Sequence, residues 1–422
     1  MTKPKGLNNS KTVNQLLTKL LYPVKLPQLF VWLLTVSFTC ALLPVSAMPG
    51  NNIFSNLTEE ECASGESFDI MQLASMKATD IIDSFYRKRV KNDHFNGAVL
   101  VAKNGVPLYE GAFGYGDFST KDPMTVHSPV QLASVSKTFT GSAILLLAEQ
   151  GFLSLDDSIQ KFFPDFPYKD ITVRLLLSHR TGLPDYTVFP KEYFTKSAEY
   201  ITNQDVINYF TVMKPSLRCK PDHMFIYCNT NYAILASIVE QVTAMSYHQF
   251  MHDFIFAPLG MDDSYVFNPA DSTTFRGTTS YTAKGAVWKN NIYDGVVGDK
   301  GIYSSVEDML KWDNALRNGL LLSEESLQEA YKPRSLDKYS FAGEKERNYG
   351  YGWRMLKQPD KSYLIYHNGF WHGSNNVFAR DLDDGYTVIV LGNKSNNNNY
   401  WTQPVWDVLN QLKTFTGIAS AQ

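Results

Sequence analysis

The sequence is poor in cysteine, in net charge and in long apolar runs. Four cysteines in 422 residues, with no C-x-x-C and no H-E-x-x-H, leave a zinc site of the usual spacing without support. Nothing else in the chain calls for a metal or a cofactor. A formal net charge of −3 gives no reason to expect a nucleic acid or other polyanion as partner, since such partners are met by clustered basic residues. No segment repeats at the periods of solenoids or propellers. The longest apolar run, Leu29 to Leu43, is shorter than the roughly 18 residues a spanning helix needs, and Pro44 closes it.

That run reads instead as the core of an export signal. Lys3, Lys5, Lys11, Lys19 and Lys25 precede it, and Val45-Ser46-Ala47 supplies the small residues a signal peptidase needs. Residues 1–47 are therefore expected to be a signal peptide, or an uncleaved anchor because the basic lead is long, and the protein periplasmic or secreted. The membrane is expected as a partner only through this segment. Export would leave Cys62, Cys219 and Cys228 in an oxidising compartment. Two outcomes stand for them: a Cys219–Cys228 disulfide, as the nearer pair, or unpaired, partly buried thiols.

Residues 48–72 are polar and irregular, and residues 73–422 form one domain. A helix is expected over Leu73 to Lys91. The segment GAVLVAKNGVPLYEGAFGYG then reads as two strands joined at Asn104-Gly105, with Pro107 at a strand start or on an edge. Three more strands, YLIYHNG, NNVFARD and GYTVIVLGN, lie near the other end, the last turn falling at Asp384-Gly385 and a helix following over Gln403 to Lys413. The asparagine-rich NKSNNNN between that strand and that helix reads as a solvated loop. Between the two strand regions the periodicity is mostly helical, as at Thr138–Gln150, Ser158–Phe163, Ala233–Val242 and Ser305–Asn318. The expected fold is α+β: one antiparallel sheet from both chain ends (residues 73–130 and 347–422), flanked by helices, with an inserted, largely helical subdomain (131–346) and a cleft between the two.

Ser-x-x-Lys occurs three times, at Ser134/Lys137, Ser158/Lys161 and Ser335/Lys338. Ser158/Lys161 follows two aspartates in a short amphipathic segment, and Ser335/Lys338 lies in the charged, proline-containing YKPRSLDKYS. Only Ser134/Lys137 opens a helix that is apolar nearly all round, so its lysine is expected near the interior. Three residues along a helix place both side chains on one face, and the free N–H groups of a helix start can face a developing oxyanion. On the pair alone, Ser134 is either a nucleophile or a helix cap.

Two further motifs add to it: Tyr227-Cys228-Asn229 in FIYCNTNY, and His367-Asn368-Gly369 in IYHNGFWHG. The order Ser-x-x-Lys, Tyr-x-Asn, [His/Lys]-x-Gly resembles the penicillin-recognising serine hydrolases, in particular the class C β-lactamase-like branch with its β-lactamases, family VIII carboxylesterases, D-alanyl-D-alanine carboxypeptidases and D-aminopeptidases. LLLSHRTGLPDY (Leu175 to Tyr186) and GDKGIYSSVEDMLKW (Gly298 to Trp312) resemble landmarks of the same family, and the likeness runs from about Phe95 to the C-terminus. Class A enzymes carry Ser-Asp-Asn, which is absent here.

The resemblance implies a β-lactamase/transpeptidase-like fold and double-displacement acyl transfer. Ser134 would form an acyl-enzyme that water hydrolyses, and Lys137 and Tyr227 would share the proton traffic. Asn229 would orient Lys137 and the substrate, His367 would line the opposite wall, and the backbone N–H groups of Ser134 and Phe370 would form the oxyanion hole. Asn368, Gly369, Trp371 and Tyr186 would contact a small ester, amide or peptide. Either a cationic Lys137 makes Tyr227 the base, or burial leaves Lys137 neutral and the base itself; the two would titrate as a unit.

Where β-lactamases of this branch have Lys-Thr-Gly and a small residue, this chain has His-Asn-Gly followed by Phe370 and Trp371. A mostly neutral imidazole weakens the cation for a substrate carboxylate, so weak β-lactam turnover and an ester or small amide substrate are expected. His179 reads as a structural histidine, His372 as a residue that could reach the cleft, and Lys300 as a solvated loop residue outside the site. Tyr186, Phe189, Tyr193 and Phe194 read as core or as a pocket wall. A β-lactamase or carboxypeptidase, an acylated but non-hydrolytic sensor, and a silent envelope scaffold are the alternatives.

Overall fold

The computed structural model describes residues 70–194, 199–271, 273, 275–335, 347–358 and 362–421. The expected signal, the segment up to residue 69 and Cys62 lie outside them.

The chain opens with helix α1 (Ile70–Lys91), followed by strands β1 (Gly97–Lys103) and β2 (Val106–Phe113). They are joined by Asn104 and Gly105 at φ 49° and 78°, the left-handed pair a two-residue hairpin needs. Pro107 sits near the start of β2, an edge strand, where its missing donor costs nothing. The helical half holds α2 (Ser136–Glu149), α3 (Asn203–Met213), α4 (Asn229–Thr243) and α5 (Val306–Arg317). Then come β3 (Arg347–Tyr349), β4 (Arg354–Lys357), β5 (Tyr363–Trp371), β6 (Ser374–Asp381), β7 (Tyr386–Gly392) and the terminal helix α6 (Gln403–Ala421).

One seven-stranded antiparallel sheet collects strands from both ends in the order β2-β1-β7-β6-β5-β4-β3. β1 pairs with β7 in register from Gly97↔Gly392 to Lys103↔Tyr386, so strands from the two chain ends lie side by side within the sheet. Both faces of β1 are covered, which is why it reads as a continuous apolar run rather than an alternation. Val99 and Val101 face α1 and α6 with Ala78, Val388 and Leu409. Leu100 and Ala102 face the helical half with Phe139 and Ile389.

Helix α2 is the axis of that half. Every residue from Ser136 to Leu147 is buried, and Phe139 stacks on Trp312 at 4.2 Å. Caps match the sequence signals: Thr202 and Asp205 form a capping box at α3, and Ser305 accepts from Asp308 N–H at α5. The inserted region is not wholly helical, since Val130–Gln131, Ile302–Ser304 and Tyr265–Val266 form a small sheet. Pairing of Gln131 with Tyr303 ties the entry to α2 to the segment that carries Asp299 and Lys300.

NKSNNNN is not simply solvated. Asn393 is fully buried, its amide donating to the carbonyls of Tyr115, Gly116 and Thr279, and Asn399 is buried against the Asn375 carbonyl. These amides pair backbone groups left over where β7 ends.

Candidate active site

Ser134 lies in a single 3-10 turn, Ala133–Val135, that leads into α2. The turn is fixed from two sides. Leu132 N–H donates to the Ile302 carbonyl at 2.8 Å, and Ile302 N–H donates back to Ser136 Oγ at 3.3 Å. Ala133 has φ 50°, a left-handed backbone that costs a non-glycine residue about 1 kcal/mol or more and that places the next residue at the mouth of the turn. Ser134 caps no helix with its side chain.

Lys137 is fully buried. Its Nζ lies 3.1 Å from Ser134 Oγ, 2.9 Å from Asn229 Oδ1 and 2.7 Å from the Asp299 carbonyl oxygen. The last two partners can only accept, so they take two N–H bonds in either protonation state. The third position faces the serine. An ammonium donates to Oγ there, and a neutral amine accepts the hydroxyl proton along the same line. Asn229 is placed for this by the start of α4, where its own N–H donates to Asp185 Oδ2 at 2.8 Å. Thr230 Oγ1 donates to the Pro184 carbonyl and accepts from Tyr186 N–H, each at 2.8 Å, so the LPDY loop is buttoned to the same helix turn.

Tyr227 precedes α4 in extended chain. Its ring centre lies 5.1 Å from Lys137 Nζ and 4.9 Å from the Arg354 guanidinium carbon, and the His179 ring packs against it at 4.4 Å. The hydroxyl is buried and has no hydrogen-bond partner among the described residues. Ser134 Oγ and Lys137 Nζ are thus in direct contact, and the Tyr227 ring lies beside the lysine.

The facing wall is β5. Beyond Tyr366 its pairing with β4 stops while pairing with β6 continues to Trp371, so that edge of residues 367–371 is left to the serine turn. A Cβ at Gly369 would collide with the Leu132 carbonyl oxygen and crowd Ala133, which makes glycine the residue that admits the turn. His367 is fully buried, with Nδ1 2.8 Å from the Asn368 carbonyl and Nε2 3.1 Å from Tyr349 Oη. Burial, then the charges of Arg354 and Lys137, holds its imidazole well below the usual histidine range. Phe370 is half-exposed at the rim. Trp371 Nε1 donates to Asp294 Oδ1 at 2.6 Å, and His372 Nε2 lies 2.9 Å from the same oxygen. Burial opposes ionisation of Asp294, yet hydrogen bonds from His372 and Trp371 outweigh it and keep the carboxyl below its ordinary value. His372 is thereby an anchor of the β5–β6 turn, held on Asp294.

Two expectations are corrected in this region. Lys300 is not solvated: it is buried, with Nζ 2.7 Å from Tyr186 Oη, 2.9 Å from the Val296 carbonyl and 5.0 Å from the Trp371 ring centre. Burial pulls its ammonium below the usual lysine range against the pull of Asp299. Tyr186 does not line open space either, being fully buried with its hydroxyl donating to Asp299 Oδ2 at 2.9 Å. The Tyr186–Asp299–Lys300 cluster lies behind the site and holds the Asp299 carbonyl on Lys137. The sequence offers only a weak cue, an Asp299-Lys300 pair between Gly298 and Gly301 that runs into the strand Ile302–Ser304, and this does not tell Lys300 from a loop lysine. Arg354 and Tyr349 carried no such signal.

The readings of His179, Phe189 and the Ser158/Lys161 pair agree with the structure. His179 is buried and hydrogen-bonded, and Phe189 is core, stacked on Tyr209 at 4.0 Å. Ser158 caps a 3-10 turn by accepting from Gln160 N–H, and Lys161 pairs with Asp157 at 2.6 Å. Among the described residues Cys219 and Cys228 are both free thiols, so of the two outcomes weighed for them the Cys219–Cys228 disulfide is not formed. Cys228 is buried at the entry to α4, where desolvation pushes its thiol up to about 12, and Cys219 packs against Gly182. Among the described residues, no group of three or more His, Cys, Asp or Glu could hold a metal ion, and no helix is long and apolar enough to cross a membrane.

The sequence model of the Beta-lactamase family matches residues 82–411. This chain belongs to that family. "Penicillin-binding protein 4*" of Bacillus subtilis (strain 168) is 33% identical over 322 residues, 72% of this chain and 70% of that one. Among solved structures, the octameric penicillin-binding protein homologue from Pyrococcus abyssi superposes with a TM-score of 0.64 at 26% identity, covering 74% of this chain and 73% of that one. The D-amino acid amidase from Ochrobactrum anthropi SV3, solved with L-phenylalanine amide, gives the same TM-score and identity over 82% of this chain and 100% of that one. The fold is accordingly the β-lactamase/transpeptidase-like one of these serine hydrolases.

Proposed function

We propose that the protein is an exported serine hydrolase that cleaves an ester or a small amide through an acyl-enzyme on Ser134. The observation that carries this reading is the 3.1 Å contact between Ser134 Oγ and the Nζ of the buried Lys137. Its remaining hydrogen-bond directions are occupied by Asn229 and the Asp299 carbonyl.

In this scheme Lys137 takes the hydroxyl proton as Ser134 Oγ bonds to the substrate carbonyl carbon. The carbonyl oxygen becomes an oxyanion and sits between the N–H groups of Ser134 and Phe370. Collapse breaks the bond to the leaving group, which receives a proton from Tyr227, whose orphaned hydroxyl suits a partner that arrives with the substrate. Tyr227 is then reprotonated from Lys137. Water repeats the sequence in reverse, giving the acid and restoring Ser134. Asn229 keeps Lys137 aimed throughout, and Asn368, Gly369 and Trp371 form the substrate wall.

The ester or neutral amide preference rests on His367. Its two nitrogens are engaged by Asn368 and Tyr349, and burial keeps it neutral, so it gives a substrate carboxylate no charge. The likeness to a D-amino acid amidase puts small amides on the list of substrates to try. Export follows from the basic lead, apolar run and Val-Ser-Ala of residues 1–47.

The test is a fluorescent acylating probe followed by a panel of p-nitrophenyl esters, D-amino acid amides and nitrocefin. Labelling of the parent and none of Ser134→Ala, with turnover of an ester or amide, is the expected result. A label that persists for hours without turnover would point to a sensor, and turnover of nitrocefin alone would overturn the substrate preference.

A further inference from the structure

Behind Tyr227, two histidines from distant parts of the chain share one tyrosine hydroxyl. His179 Nε2 lies 3.3 Å from Tyr349 Oη, and His367 Nε2 lies 3.1 Å from the same atom. The outer nitrogens decide which way each bond runs. Nδ1 of His367 faces the Asn368 carbonyl, which can only accept, so Nδ1 carries the proton and Nε2 a lone pair. Nδ1 of His179 receives the Cys228 backbone N–H at 3.3 Å and faces the Asn231 amide at 3.0 Å, so Nδ1 is the acceptor and Nε2 carries the proton. Tyr349 Oη therefore accepts from His179 and faces the His367 lone pair as a donor, and the Tyr232 hydroxyl, which donates to the Leu177 carbonyl, is also in hydrogen-bonding reach of it.

We propose that Tyr349 is a positioning residue of the active site: by bridging His179 and His367, whose opposite tautomers their outer nitrogens set, it aligns the Tyr227 ring, against which His179 lies, and holds the β5 wall at His367. The proposal rests on the reading of Tyr227 as a proton-transfer group in a serine hydrolase.

Three elements converge here without contact in sequence. His179 ends the short helix Val173–Leu177 and its following residue pair, Tyr349 closes β3, and His367 is mid-β5. All three side chains are buried. The charged and titratable groups that face the pair are Lys137 from α2, Arg354 from β4, Tyr227 from the entry to α4 and Tyr232 from α4. Arg354, and Lys137 once it has taken the serine proton, oppose protonation of either imidazole, so the neutral chain is the state their field supports. A ring misplaced by about 1 Å at a proton-transfer site lowers turnover on the order of 10²-fold, which sets the scale expected for a positioning residue.

The test combines spectroscopy with kinetics on the full chain. Long-range 15N–1H correlation of histidine-labelled protein should show His179 as the Nε2–H tautomer and His367 as the Nδ1–H tautomer, neither titrating between pH 5.5 and 8. Tyr349→Phe should keep Ser134 labelling by the acylating probe, keep the Nδ1–H tautomer of His367 while its Nε2 resonance shifts to that of an unpaired lone pair, and lower kcat by about 10- to 100-fold with KM nearly unchanged. Matching tautomers, titration of either ring near the ordinary histidine value, or a wild-type kcat in Tyr349→Phe would each overturn the proposal. The spectroscopic arm decides it even if the variant does not fold. If instead the parent shows no Ser134 labelling, it is the hydrolase reading that fails, and the tautomer result is unaffected.

Discussion

The two walls of the cleft follow opposite plans. The helical wall, Ser134, Lys137, Tyr227 and Asn229, gathers groups whose hydrogen bonds stop one short: Lys137 has one direction left for the serine, and the Tyr227 hydroxyl has no partner. The strand wall is closed. Both nitrogens of His367 are used, Trp371 and His372 are tied to Asp294, and Gly369 is packed on the serine turn. A wall whose side chains have unfilled hydrogen bonds can exchange protons with a substrate, whereas one whose side chains are filled gives it shape and, in the proposed scheme, the Phe370 N–H.

Removing the nucleophile should erase the contrast. Ser134→Ala is expected to lower kcat by about 10³-fold or more, because residues that act as a unit fail together. Its fold should persist, since the side chain caps nothing. Lys137→Ala should match that loss of activity and also destabilise the protein. It leaves Asn229 Oδ1 and the Asp299 carbonyl with an unfilled space between them, each worth about 1–3 kcal/mol when buried and unpaired. Denaturation midpoints alongside kcat would separate the two variants. Equal stability would mean that Lys137 is not the hub of the wall.

Tyr227→Phe removes only the orphaned hydroxyl. A kcat lower by about 10²-fold is expected for loss of a general acid or base. Stability should stay within about 1 kcal/mol of the parent or rise, because no hydrogen bond is lost and a buried unsatisfied O–H disappears. An unchanged kcat would take Tyr227 out of the proton path.

Gly369→Ala tests the closed wall. The new methyl group would strike the Leu132 carbonyl, so β5 and the serine turn must separate. Overpacking of this kind costs about 1–3 kcal/mol, and a parting of the walls should lower kcat about tenfold through misplacement of the Phe370 N–H. A variant with parental kcat would show that this N–H is not used.

The open wall was largely legible in the sequence, and the closed wall was not. Ser134, Lys137, Tyr227 and Asn229 announce themselves by spacing, and the all-apolar surroundings of α2 announce that Lys137 is buried. The central sheet was equally plain, because strands from both ends carry apolar runs and Asn-Gly or Asp-Gly turns. What escaped was side-chain partnership across long stretches of sequence. Lys300 looks like any loop lysine until Tyr186, 114 residues away, is brought to 2.7 Å, and Asn393 looks solvated until three carbonyls converge on it. Tyr349 carries no local pattern, since its role is defined by two histidines that only the fold brings together. The cysteines were ambiguous for the same reason: nearness in sequence did not fix where the Cys228 side chain points.

The smallest expected effect reaches the closed wall through pH. Burial, reinforced by Lys137 and Arg354, lowers the proton affinity of both His179 and His367 in the folded protein. The unfolded chain has no such restraint, and its histidines titrate near 6.5. Below that pH the unfolded state binds more protons than the folded one, so the stability these rings confer is fully present above about 6.5 and is lost as pH falls toward their depressed folded values. Each ring contributes a slope of up to about 1.4 kcal/mol per pH unit, and a pair approaches twice that. Urea midpoints taken from pH 7.5 to 5.5 should fall in the parent and fall less steeply in His367→Asn. The lowered carboxylates Asp294 and Asp313 do not enter this window, since their unfolded counterparts titrate near 4. A parent whose midpoint is flat over that range would mean that the histidines are charged when folded, and the strand wall would then hold the same kind of unfilled hydrogen-bonding capacity as the helical one.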